Sequence, residues 1–78
     1  MLKFVLIEEI GNSVLYSYYP EGGSESGIVS FNKKTGDGGV NTLANNDKHQ
    51  RYALKILKRI REMASAGTFE KEGIVAWY

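Results

Sequence analysis

The stretch from Asp47 to Ala66 is the only part of this chain long and regular enough to form an amphipathic helix, so the fold must be one that a single helix can cover. At 100° per residue, His49, Tyr52, Ala53, Ile56, Leu57, Ile60, Met63 and Ala64 gather on one side, and that stripe is the buried face. Opposite it lie Lys48, Arg51, Lys55, Lys58, Arg59, Arg61 and Glu62, a basic surface with almost no acidic compensation. Asp47 is placed to accept from a first-turn amide while Gln50, three residues on, reaches back as in a capping box. Gly67 follows as the stop, because glycine takes the left-handed conformation past a helix end most easily.

Around this helix the chain reads as strands. Leu2 to Ile7 is a nearly continuous apolar run, and Ser13 to Tyr19 is rich in β-branched and aromatic residues. Gly11-Asn12 joins them with glycine first, which suits a type II′ hairpin turn and an antiparallel pair. Pro20 to Gly27, dense in glycine and serine, predicts a mobile surface loop. Gly27 to Asn32 is a third strand, ended by a turn at Lys33-Lys34-Thr35-Gly36. Asp37 to Asn41 is a weak fourth, since Gly38 and Gly39 leave Val40 as its only sizeable apolar residue. After the helix, Phe69 tucks back under the helix end, and Gly73 to Tyr78 forms a last strand placed beside the first.

The expected architecture is one α+β domain over residues 1–78: an antiparallel sheet of four to five strands, in chain order β-β-β-(β)-α-β, with one amphipathic helix packed on one face. At 78 residues the core is small, and nearly every large apolar residue must be committed to it. The chain has no cysteine, which excludes disulfides, thiolate nucleophiles and thiolate metal sites and fits a reducing cytoplasm. Met1 to Ile7 is too short for a membrane span and lacks the pattern of a signal peptide, so no membrane partner is expected. A formal charge of +1 predicts no partner by itself; the asymmetry is local to the helix.

No constellation for catalysis is visible, and no enzyme activity, cofactor or metal is expected. His49 is the only histidine, falls in the apolar stripe and has no companion ligand at helical spacing, so it reads as a packing residue. Glu8-Glu9 and Glu70-Lys71-Glu72 read as solvated charge, because neighbouring strand residues point to opposite faces and the second cluster lies in a loop. The glycines at Gly22-Gly23 and at Gly36 to Gly39 lack the following lysine and helix of a phosphate cradle.

Two surfaces remain as candidates. The first is the helix face with Lys48, Arg51, Lys55, Lys58, Arg59 and Arg61, suited to an acidic protein or to successive phosphates of a nucleic acid. The second is the side of the sheet away from the helix, since strand one is apolar on both faces; Tyr16, Tyr18 and Trp77 are its expected aromatic members, and self-association as a weak homodimer is weighed against a monomer. At Tyr18-Tyr19-Pro20-Glu21-Gly22, Lys33-Lys34-Thr35-Gly36, Asn46-Asp47, Tyr52-Ala53 and Glu72 to Tyr78, the chain resembles small uncharacterised proteins of Gram-positive bacteria and their phages and mobile elements. The resemblance implies a bacterial, cytoplasmic setting and assigns no activity. The expected function is a small non-enzymatic protein-binding or accessory role, with nucleic-acid binding by the basic face of helix 47–66 as the alternative.

Overall fold

Among the described residues, five strands and one helix follow in chain order: β1 (Leu2–Ile10), β2 (Ser13–Pro20), β3 (Gly27–Asn32), β4 (Gly38–Thr42), α1 (Arg51–Ala66) and β5 (Glu72–Val75). The structure, a computed structural model, describes residues 1–21, 23–45, 47 and 50–76. All strands join one sheet in the order β4-β3-β2-β1-β5, and every neighbouring pair is antiparallel. The α+β architecture expected from the pattern is therefore present, the doubtful fourth strand included. The last strand lies beside β1, with Leu2 opposite Val75 and Val5 opposite Glu72.

The β1–β2 hairpin turns at Gly11, whose φ of +56° is the conformation that favours glycine. β1 runs three residues beyond Ile7, and its register slips between Leu6 and Glu8. Ile7 is the extra residue of that bulge, so the alternation is reset and Glu9, opposite Val14, joins the core side of the sheet. Asn32 shapes the next hairpin by accepting the amides of Lys34 and Thr35 on its side-chain oxygen, at 2.9 and 3.1 Å.

β4 exists for a reason that hydrophobicity does not report. Leu57 of α1 lies directly over Gly38: a Cβ there would stand 2.8 Å from Leu57 Cδ2. The glycine is what lets the helix settle onto that edge. A second slip, between Ile28 and Val29, makes Asn41 the extra residue of β4, and Ser30 Oγ donates to Asn41 Oδ1 at 2.9 Å.

The core is the space between α1 and one face of the sheet. Leu2, Phe4, Val14, Tyr16, Tyr18, Val29 and Phe31 meet Ala53, Ile56, Leu57, Ile60 and Met63 there. Phe4 and Tyr16 cross edge to face with centroids 5.7 Å apart, and Phe69 tucks in beside Phe31 at 6.4 Å. At about 25 cal/mol per Å² of apolar area, this layer is the main stabilising contribution. It also corrects one expectation. Tyr16 and Tyr18 are fully buried beneath the helix and do not face outward. Their hydroxyls are satisfied inside: Tyr16 donates to the Glu70 carbonyl at 2.6 Å, and Tyr18 donates to Asp47 Oδ2 at 3.2 Å while accepting the Ala44 amide at 3.1 Å.

The helix also begins later than its sequence pattern suggests, at Arg51 instead of Asp47. Gln50 takes the left-handed conformation, φ 58°, and its side chain makes no cap, so the capping box does not form. Asp47 nonetheless does the capping from outside the helix. Only 2% exposed, it accepts the amides of Tyr52 at 3.0 Å and Ala53 at 2.9 Å. The other end closes as expected: Gly67 has φ 78°, its amide bonds to Ala64 O, and that of Thr68 bonds to Met63 O.

Candidate functional site

The outer side of α1 is exposed at Arg51, Leu54, Lys58 and Arg61, with Lys55 and Arg59 half-buried. Helical spacing brings them together: residues three and four apart share a face, which joins Arg51 to Leu54 and Lys55, and these to Lys58 and Arg61. Arg51, Lys58 and Arg61 make no ion pair among the described residues. Arg59 does not belong to this set. It reaches Glu62 at 3.7 Å and is bonded closely by Glu70 Oε1, which neutralises it and ties the helix to the segment before β5. The basic face is thus narrower and more compensated than the helical wheel implies, and Glu70 is a structural partner instead of solvated charge. Lys48 lies outside the described residues, as do His49 and Trp77.

Two depressions flank this face and share Lys55 and Lys58. One, of about 590 Å³, is lined by Arg51, Tyr52, Leu54, Lys55 and Lys58. The other, of about 250 Å³, lies between the helix and the edge of the sheet, where Lys55, Lys58, Arg59 and Glu62 face Val75 and Ala76. Leu54 is 59% exposed within the first. It is an apolar side chain among cations, and its signal in the sequence was its position off the buried stripe of the helical wheel.

The groove has electrical direction. At its Tyr52 end, the Tyr52 hydroxyl donates to Glu21 Oε1 at 2.6 Å, and the Met1 ammonium stands 3.3 Å from the same carboxylate. The Tyr52 hydrogen bond, then the ammonium, holds the Glu21 carboxyl below its ordinary range, and Glu21 in turn pushes the Tyr52 phenol up. A carboxylate is therefore bonded to Tyr52, which lines the first depression, while Lys55 and Lys58 line both depressions and reach toward β5.

The opposite face of the sheet carries Val5, Leu15, Tyr19 and Ile28, half-buried, with Ile74 60% exposed. These, and not Tyr16 and Tyr18, are the side chains without a helix over them. Among the described residues no group of three or more histidine, cysteine, aspartate or glutamate side chains is placed to hold a metal, and no helix is long and apolar enough to cross a membrane. Comparison with family models, curated proteins and solved structures finds no match, so the surface is read from its own geometry.

Proposed function

We propose that this chain is a small non-enzymatic binding protein that docks an acidic protein partner on the outer face of α1. The observation that carries this reading is the exposed Leu54 set among Arg51, Lys55 and Lys58 in a groove of about 590 Å³. Phosphates want only the cations, whereas a protein partner uses an apolar contact ringed by charge. The resemblance to small proteins of Gram-positive bacteria and their mobile elements makes a cytoplasmic accessory role the setting of the proposal.

The test is a titration of labelled protein with an acidic Glu/Leu-containing polypeptide and, separately, with single- and double-stranded nucleic acid, at low and near-physiological salt. Polypeptide binding is expected to fall by about tenfold in Leu54→Ala and further in Arg51→Glu/Lys58→Glu, both variants remaining folded because these positions are exposed. Nucleic-acid binding that is steeply salt-dependent and indifferent to Leu54→Ala would reverse the assignment in favour of phosphate recognition.

A further inference from the structure

The outer edge of β5 borders the second depression, where Lys55, Lys58, Arg59 and Glu62 face Val75 and Ala76, and its backbone polarity follows from one hydrogen bond. The Leu6 amide donates to the Lys71 carbonyl at 2.7 Å, immediately beyond the β1–β5 ladder and in the same register. In an antiparallel pair, hydrogen-bonded and non-hydrogen-bonded positions alternate, so Gly73 and Val75 turn their amides and carbonyls toward β1. Glu72 and Ile74 therefore turn theirs outward. Among the described residues no strand lies beyond them. Unlike β4, β5 pairs with its neighbour without a slip in register, so this edge has no bulge to bend it away from a newcomer.

Side chains complete the pattern. Val75 pairs with Leu2 and lines the helix side of the edge with Lys55 and Lys58, while Ile74 pairs with Lys3 and is exposed on the other face. A strand laid along β5 would alternate its own side chains between these two environments. Building on the proposed acidic partner, we infer that the outer edge of β5 accepts an extended segment of that partner as a sixth strand, with carboxylates at every second position over Lys55 and Lys58 and apolar residues between them beside Ile74. Main-chain bonds to Glu72 and Ile74 supply the affinity, and the alternation supplies the selectivity. A second copy of this chain fits less well, because two-fold pairing of β5 with itself would bring two sets of Lys55 and Lys58 together.

The experiment uses a capped nonapeptide alternating glutamate with valine or threonine, a scrambled peptide of the same composition, and two N-methylated versions, each blocking the amides along one side of the strand. Binding is followed by fluorescence titration and by amide chemical shifts. The alternating peptide is expected to bind, to shift the amides of Glu72 and Ile74, and to lose about tenfold in affinity when scrambled or when one of the two sides is methylated. Ile74→Pro should weaken binding by a similar factor: it deletes an outward amide and spares the β1 ladder, with Ile74→Thr as the control that keeps the amide. Lys55→Glu/Lys58→Glu should abolish binding. If both methylated peptides bind like the parent while the charge reversal still abolishes binding, the sixth strand is overturned and the acidic-partner reading stands. If no peptide binds, or the charge reversal has no effect, both are overturned.

Discussion

Along the β3–β4 side of the sheet the edge is bent and weighted down. Asn41 is the extra residue of a bulge, Ser30 ties its side chain in place, and Leu57 presses on Gly38. Along the β1–β5 side the edge is regular in register, and beside it lies a depression where Lys55 and Lys58 stand with the paired Arg59 and Glu62. Both are edge strands of the same sheet, and each needs some means of avoiding stray pairing. One flank uses shape, which turns away every strand; the other uses charge, which turns away only strands of the wrong composition. That difference is what favours β5 over β4 as the edge for the proposed partner strand.

The largest effect should come from Asp47, which links Tyr18 of β2 to the start of α1. Asp47→Ala would leave the Tyr18 hydroxyl and the amides of Tyr52 and Ala53 without their acceptor in a buried place, at a cost of about 3 kcal/mol. Urea unfolding measures it, and Asp47→Asn should recover part of the loss. A cost below that of an ordinary surface change would mean that the start of α1 is held over β2 by packing alone.

Gly73 tests the other flank. A Cβ there would stand 2.7 Å from Phe4 Cζ, part of a rigid, fully buried ring, whereas the same addition at Gly38 meets a movable methyl of Leu57 at 2.8 Å. Gly73→Ala is therefore expected to cost about 2 kcal/mol and Gly38→Ala about half of that, read from paired denaturation curves. Equal costs would erase the contrast between the flanks.

The smallest effect concerns Tyr16, which fastens the segment before β5 through the Glu70 carbonyl. Burial, followed by the charges of Glu70 and Glu9, pushes its phenol up to about 12 from 10.0. Since the folded-state value is the higher one, the contribution is complete below pH 10 and disappears as the pH rises toward 12. Tyr16→Phe should cost about 1 kcal/mol at neutral pH and make the alkaline loss of stability shallower. The part due to Tyr18, whose phenol burial also raises, should remain.

How much of this was legible beforehand depends on what each residue's signal encodes. The strands β1 to β3 and the buried helical stripe are visible because periods of two and 3.6 report faces directly. The same period failed at Tyr16 and Tyr18: it groups them with Val14 but does not say which side of the sheet the helix takes, and β1 is apolar on both. β4 is faint because Gly38 serves Leu57, a residue far along the chain. The capping role of Asp47 is legible in its residue type, but its place is not, since Gln50 in the left-handed region separates it from a helix that starts at Arg51. Leu54 shows in the sequence only as an apolar residue that belongs neither to the stripe nor to the cations. The bulge at Ile7 leaves no pattern in the sequence at all.

The two neighbours of β1 arrive at very different times. β2 follows through the turn at Gly11, whereas β5 is separated from β1 along the chain by β2, β3, β4 and α1. Hairpin closure is fast and distant pairing slow, so β5 is the late step of assembly and, by the same token, the strand whose local opening requires the least of the structure to come apart. Hydrogen exchange should find the amides of Gly73 and Val75 less protected than those across β2. A ligand strand on the outer side of β5 would act as a latch, slowing that opening and making the occupied molecule longer-lived than the empty one.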